Sequence, residues 1–81
     1  MRYACPCCGC LTLDEPPPGT FAVCPVCWWE DDDVQFREPD YTGGANQVSL
    51  NDARANYARI GASSEEGLAH IRKPSEDELP R

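Results

Sequence analysis

The sequence contains no long hydrophobic run. A membrane-spanning helix needs about 18 or more consecutive apolar residues, and no apolar stretch in the 81 residues approaches that length. The first residues also lack the basic segment and apolar stretch of a secretory signal peptide. We therefore expect a cytoplasmic protein with no membrane partner; a mature chain whose signal had been removed would look the same.

Basic residues are also few. Seven Lys and Arg stand against fourteen Asp and Glu, and the formal net charge is −7 at pH 7. Nucleic-acid-binding proteins neutralise phosphates with Lys and Arg, so this composition predicts no nucleic-acid binding. The sequence has one histidine, and it has no Ser-His-Asp set, P-loop or dinucleotide-binding glycine pattern. We therefore do not expect an enzyme.

Cysteine, in contrast, is abundant, with six in 81 residues. A chain this short, with eight prolines, buries little apolar surface and is expected to need a crosslink. In a reducing cytoplasm, cysteine pairs bind metal more often than they form disulfides. The first hypothesis is a metal site, and the alternative is a set of three disulfides.

Two C-x2-C pairings are open in "CPCCGC", namely Cys5 with Cys8 or Cys7 with Cys10. The second cluster, "VCPVCWW", holds a single pair in which proline follows the first cysteine. Only Cys5 and Cys8 repeat that order, and glycine follows them. Proline's fixed φ and glycine's access to positive φ suit a knuckle, the tight turn whose backbone N–H groups face the sulfurs of a metal site.

The resulting spacing, C-x2-C-x15-C-x2-C, is typical of a four-cysteine metal site. Four thiolates suit one Zn²⁺ per chain in a closed, structural site. Iron is the alternative, because two such knuckles are also similar to those of rubredoxin, an electron carrier. The predicted ligands are Cys5, Cys8, Cys24 and Cys27.

Cys7 and Cys10 are left over. The simplest interpretation is that both are ordinary small side chains. A second is redox chemistry, because a thiol near a positive centre has a lowered pKa and reacts with oxidants. A two-zinc cluster of all six sulfurs usually needs a third, more distant cysteine in each half, which this spacing lacks.

The fold class predicted from these patterns is a small metal-stabilised α+β protein. Residues 1–36 are expected to form a zinc ribbon, in which "LTL" and "TFAV" pair as a β-hairpin across the turn "DEPPPG". Trp28 stands where the first knuckle has glycine, so the exit of the second knuckle must bend differently or accept strain. Residues 37–74 are expected to pack on the ribbon as a loop-rich crossover followed by one or two short helices.

The clearest helix signal is "SLNDARANYARIG". Ser49 is placed to cap the start of a helix, and Gly61 is placed to end it in a left-handed conformation. A second, shorter helix is predicted in "SSEEGLAHI", with Leu68 and Ile71 as its buried anchors. Residues 75–81 are expected to form a flexible acidic tail.

The segment after the second knuckle combines aromatic and acidic side chains. Exposed tryptophan is enriched among residues that dominate binding energy, and acids steer a basic partner. In the alternative interpretation, both tryptophans cover the core and the acids only solvate a turn. The possible partner-binding residues are Trp28, Trp29, Glu30, Asp31, Asp32 and Asp33.

The runs "CPCCGCLTL", "PPPGTFAVCPVCWWEDDDVQ" and "PDYTGGANQVSLNDARANYARIGAS" resemble the bacterial CPCC family of cysteine-rich proteins over roughly residues 3–74. The resemblance implies a zinc ribbon with a helical extension, and it implies little about biochemical role. Relatives often carry an aromatic residue where this chain has Cys10, so Cys10 is the least expected ligand.

Three functions are compatible with these patterns. The first is a structural zinc protein that binds another protein, as an accessory subunit or as an acidic inhibitor of a basic partner such as a toxin. The second is a redox or electron-transfer protein that uses iron or the spare thiols. The third is a small hydrolase, which would need an open position on the zinc. We favour the first.

Overall fold

The computed structural model describes residues 2–80 of the chain. Met1 and Arg81, which belong to the predicted ribbon and tail, lie outside the described residues. The protein is a small α+β fold built on a short antiparallel hairpin. Its elements are strands β1 (Tyr3–Ala4) and β2 (Leu11–Leu13), helices α1 (Asp33–Arg37) and α2 (Leu50–Ile60), and 3-10 turns at Glu65–Ala69 and Glu76–Glu78.

The hairpin is present, but its pairing differs from the predicted one. β2 pairs with β1, across the first cysteine pair, rather than with the "TFAV" run. That run instead pairs across the second cysteine pair, where Val23 forms a β-bridge with Glu30 and the Phe21 N–H donates to the Asp31 carbonyl at 3.0 Å. The predicted loop, residues 14–19, and the two observed loops, residues 5–10 and 24–29, all have six residues, so loop length does not select the pairing. Backbone hydrogen bonds inside the knuckles close the observed loops, since the Cys5 N–H donates to the Cys10 carbonyl and the Cys24 N–H to the Trp29 carbonyl, both at 2.9 Å.

Helix α1 lies inside the segment predicted to be a loop-rich crossover. Asp32 caps it, since Oδ1 accepts from the N–H groups of Val34 at 2.8 Å and Gln35 at 3.1 Å. Asp33 and Arg37, one turn apart, form an ion pair of 3.1 Å. The acidic run is therefore the start of a helix, where negative charge is favourable.

Helix α2 has the predicted ends. The Ser49 hydroxyl accepts from the Asp52 N–H at 3.1 Å, and Gly61 ends the helix with φ of 81°. Leu50 and Ala53 on its inner face are fully buried.

No helix within residues 2–80 is long and apolar enough to cross a membrane.

The second predicted helix is a 3-10 turn, Glu65–Ala69. Of its two expected anchors, Ile71 lies beyond the turn and is half-buried. Leu68 is 47% exposed, whereas Gly67 is buried against the side chain of Trp28. A Cβ on Gly67 would lie 2.9 Å from the Trp28 Cβ. The close approach of the tryptophan therefore requires glycine here.

The end of the chain, for which the sequence predicts a flexible tail, carries an ordered turn at Glu76–Glu78 that packs against β2. Glu78 is only 1% exposed. Its carboxylate accepts from Arg72 at 2.7 and 2.8 Å and from Arg2 at 3.0 Å. Paired and hydrogen-bonded in this way, a carboxylate can be buried, and this pairing ties the two ends of the described chain together.

The hydrophobic core is centred on the cysteines. Apolar side chains from the second knuckle and from α2 surround them, and Tyr57 and Val48 pack at the edge. The core is small, so a metal ion bound at its centre would contribute a large share of the stability. Its buried members are Cys5, Cys7, Cys10, Cys24, Val26, Cys27, Trp29, Leu50 and Ala53.

Candidate metal centre

The two C-x2-C turns, the first knuckle (residues 5–8) and the second knuckle (residues 24–27), have the same backbone hydrogen bonds. In the first, the Gly9 N–H donates to the Cys5 carbonyl at 2.8 Å; in the second, the Trp28 N–H donates to the Cys24 carbonyl at 2.8 Å. The N–H of each leading cysteine also donates to the carbonyl five residues later, both at 2.9 Å. The two halves of the site are thus built alike.

Both knuckles leave through a left-handed residue. Gly9 has φ of 79° and Trp28 has φ of 73°. This conformation suits glycine and costs a residue with a Cβ about 1–2 kcal/mol, so the second knuckle accepts strain. Packing offsets that cost, because the Trp28 ring stacks on His70 with centroids 4.5 Å apart and an interplanar angle of 17°.

The knuckles bring four sulfurs together. Their Sγ atoms all lie within 4.8 Å of one another, with Cys5 to Cys27 at 3.6 Å and Cys8 to Cys24 at 3.7 Å. A tetrahedral site with metal–sulfur distances of about 2.3 Å has sulfur–sulfur edges of about 3.8 Å. The cluster has the size of a four-thiolate metal site, and it uses the pairing of Cys5 with Cys8.

The four thiols perturb one another because they lie so close together. Hydrogen bonds from Cys27, Cys5 and Cys8 lower the pKa of Cys24 far below its ordinary value, whereas those with Cys24 and Cys5 raise the pKa of Cys27. Thiols this close cannot all ionise unaided, since each thiolate repels the next. A divalent cation would compensate the charge and hold all four as thiolates.

Thr12 is a further residue of the site that the sequence analysis did not identify. Its hydroxyl lies 3.1 Å from Cys24 Sγ, at hydrogen-bonding distance for a sulfur acceptor. The signal was available, because strand alternation places Thr12 on the face opposite to Leu11 and Leu13. A hydroxyl there orients the thiolate and shares its charge.

Cys7 and Cys10 lie outside the four-sulfur group. They are 8% and 2% exposed, and Cys10 Sγ lies 4.0 Å from the hydroxyl of Tyr57. Burial also raises the pKa of Tyr57. Both spare thiols are therefore packed in the core, where oxidants have little access.

The predicted partner-binding segment is divided between core and surface. Trp29, Asp31 and Asp32 are buried, with 1%, 1% and 7% of their surface exposed. Asp31 Oδ2 accepts from the N–H and hydroxyl of Thr20 at 3.0 and 2.8 Å. The backbone N–H of Ala45 holds the pKa of Asp32 below its usual value. These three side chains stabilise the fold and are not accessible to a partner. The prediction that they bind a partner is therefore wrong.

The remaining members of that segment are accessible. Trp28 is 38% exposed, Glu30 is partly exposed, and Asp33 pairs with Arg37 at the surface. Of these accessible residues, Glu30 forms no ion pair with any other residue in the described range 2–80.

A profile of the family described as cysteine-rich CPCC matches residues 3–78, nearly the whole chain. The chain belongs to this family. No curated protein sequence matches it. Membership in the cysteine-rich CPCC family and the four-cysteine cluster together support metal binding.

Proposed function

We propose that this CPCC protein holds one structural Zn²⁺ and acts as a module that binds another protein. The four-sulfur group at the centre of the core carries the first part of this proposal. The ligands are Cys5, Cys8, Cys24 and Cys27.

Four thiolates complete a tetrahedral shell and leave no position for water or substrate. Three of the four cysteines are buried, and Cys8 is partly exposed. Metal binding to such a site contributes directly to the free energy of folding, and here it would join two knuckles from separate parts of the chain. These features favour a structural role over hydrolysis.

The second part of the proposal rests on the surface. A formal charge of −7 favours a basic protein as partner and disfavours nucleic acid.

The redox alternative through Cys7 and Cys10 has less support, since both are buried. Rubredoxin-like iron would use the same four thiolates, and its visible colour would distinguish it from zinc. A cytoplasmic location agrees with the six cysteines, none of which forms a disulfide within the described residues.

Elemental analysis of the purified protein tests the metal site. We expect one zinc per chain, lost when any one of Cys5, Cys8, Cys24 or Cys27 is changed to Ser. Cys7→Ser and Cys10→Ser are the matched controls and should keep the metal. Loss of zinc from Cys7→Ser with retention in Cys5→Ser would contradict the assignment of the ligands. A circular dichroism spectrum that a chelator leaves unchanged would contradict the structural role of the metal.

The partner is sought separately with the zinc-loaded protein. Capture from the native cytoplasm, followed by mass spectrometry and reconstitution with the purified candidate, should yield a basic protein whose binding weakens with salt. A reconstituted partner that is acidic, or binding indifferent to salt, would contradict the charge argument.

A further inference from the structure

A cleft of about 200 Å³ opens beside the second knuckle, between three segments of the chain. Trp28 and Glu30 stand on its first wall, residues 45–48 form the second, and Ser64 and Glu66 stand on the third. Small-molecule sites usually enclose about 300–1,000 Å³. The cleft is therefore of a size for one side chain rather than for a whole cofactor.

The cleft is held in shape by partly buried polar contacts. Asn46 bonds Glu30 twice, accepting from its N–H at 2.8 Å and donating to its carbonyl at 2.8 Å. Gln35, which is fully buried, accepts from Asn46 Nδ2 at 2.8 Å and donates to the Val48 carbonyl at 3.0 Å. These bonds join the first wall to the second.

The third wall is tied to the metal centre. The Ser63 N–H donates to the carbonyl of Cys27 at 2.8 Å, and the Asn56 side chain donates to the Ser63 carbonyl at 2.8 Å. All three walls are thus fixed before any partner arrives. A fixed site loses less conformational entropy on binding.

The lining of the cleft suits a cation. Within residues 2–80, no ion pair involves Glu30 or Glu66, and no Lys or Arg lines the cleft. Trp28 remains 38% exposed although its ring is stacked on His70. Two unpaired carboxylates and an accessible indole are what a guanidinium binds best, because it is planar, forms directed hydrogen bonds to carboxylates and stacks on aromatic rings.

We propose that this cleft receives an arginine side chain of a basic partner protein, with Glu30 and Glu66 binding the guanidinium and Trp28 contacting its plane. The inference rests on the proposed function and specifies where and how the partner is recognised. Arginine is favoured over lysine, since an ammonium is strongly hydrated and lacks a planar surface to place against the indole.

The test uses ¹⁵N NMR spectra of the zinc-loaded full chain titrated with acetyl-Gly-Arg-Gly-amide. We expect shifts concentrated at the Trp28 indole, Glu30, Asn46 and Glu66. The same peptide with citrulline, which has the shape of arginine without the charge, should bind at least tenfold more weakly, and the lysine peptide several-fold more weakly. No shifts at these residues, or equal binding of citrulline, would overturn the proposal.

Charge variants separate the cleft from the acidic surface in general. Glu30→Gln and Glu66→Gln should each weaken the arginine peptide several-fold. Glu65→Gln removes the same charge from an exposed neighbour outside the lining and should leave binding unchanged. Equal weakening by all three variants would show non-specific attraction and overturn the assignment.

A reconstituted partner distinguishes this inference from the proposed function. If Glu30→Gln and Glu66→Gln bind that partner as the unchanged protein does, the cleft is not the recognition site, while the proposed function stands. If the arginine peptide binds the cleft but no basic protein is recovered, the cleft is a guanidinium site, and both its assignment to a partner's arginine and the protein-binding function are contradicted.

Discussion

Trp28 has the same left-handed backbone conformation as Gly9, with φ of 73° against 79°. Each residue follows the second cysteine of its knuckle, and each donates its N–H to the carbonyl of the first cysteine at 2.8 Å. The geometry of the turn, rather than the residue type, therefore determines the exit conformation. The two knuckles have the same backbone shape, but only the second bears the conformational strain of a residue with a Cβ.

Gly9→Ala should destabilise the protein by about 1–2 kcal/mol through backbone strain alone, since the new Cβ would lie no closer than 3.7 Å to its nearest neighbour, Pro80. Gly61→Ala is the matched control, with φ of 81° and nothing within 4 Å of the new Cβ. Both should lower the unfolding midpoint in denaturant. Because zinc binding is coupled to folding, both should lower the apparent zinc affinity in competition with a chelator, and Gly9→Ala should lower it more, since it strains the turn that holds the ligands; equal zinc affinities would contradict a role for this turn in the site.

Gly67→Ala should displace Trp28, because the new Cβ would lie 2.9 Å from the Trp28 Cβ, an atom that cannot swing away. Overpacking of this kind costs about 1–3 kcal/mol. The stack of Trp28 on His70 should loosen, and the tryptophan fluorescence should change. Leu68→Ala, at a 47% exposed neighbour, should change stability by no more than about 0.5 kcal/mol; a larger loss there would place the packing contact elsewhere.

Thr12→Val should keep the fold and weaken metal retention, because it removes the hydroxyl 3.1 Å from Cys24 Sγ. Loss of such a supporting hydrogen bond typically costs about 10- to 100-fold in metal affinity. Thr12→Ser should restore most of the affinity, and Thr42→Val, at an exposed threonine, should have no effect. The affinity is measured by competition with a chromophoric chelator, and an unchanged value for Thr12→Val would remove this hydroxyl from the site.

Local signals predicted the parts of the molecule that local chemistry determines. The spacing and flanking residues of the cysteine pairs selected the four sulfurs that the structure brings within 4.8 Å. Ser49 and Gly61 marked the ends of α2 because a cap is decided within one turn. The tight knuckle likewise left two predicted outcomes at Trp28, a different bend or strain, and its φ of 73° shows the second.

Contacts between distant segments were not predictable in this way. The acidic run looked like a solvated turn because nothing near it in sequence shows that Asp31 meets Thr20 or that Asp32 meets Ala45. Glu78 looked like part of a flexible tail because one of its partners, Arg2, lies at the other end of the chain. The pairing of the hairpin was not predicted, because β propensity identifies a strand but not its partner. It does not say whether β2 pairs across residues 5–10 or across residues 14–19.

Glu78 should make stability depend on pH below about 4.5. The hydrogen bonds from Arg72, followed by that from the Ser75 N–H, lower the pKa of Glu78 from 4.5 to about 2. A carboxyl whose pKa is lower in the folded state stabilises that state fully above its unfolded pKa, and this contribution is lost as the pH falls through the folded value. The contribution should therefore be constant from pH 7 to about pH 5 and should decline between about pH 4.5 and pH 2.

Glu78→Gln isolates this effect. The variant keeps the same thiols, so any loss of zinc in acid affects the variant and the unchanged protein alike and cancels in the difference between them. Measured by urea unfolding in excess zinc, the variant should be less stable at pH 7, and the difference should shrink as the pH falls below about 4.5. Glu76→Gln, at an exposed position in the same turn, should show no such pH-dependent difference. A difference for Glu78→Gln that stays constant down to pH 3 would mean that the neutral amide loses packing rather than the ion pairs with Arg72 and Arg2.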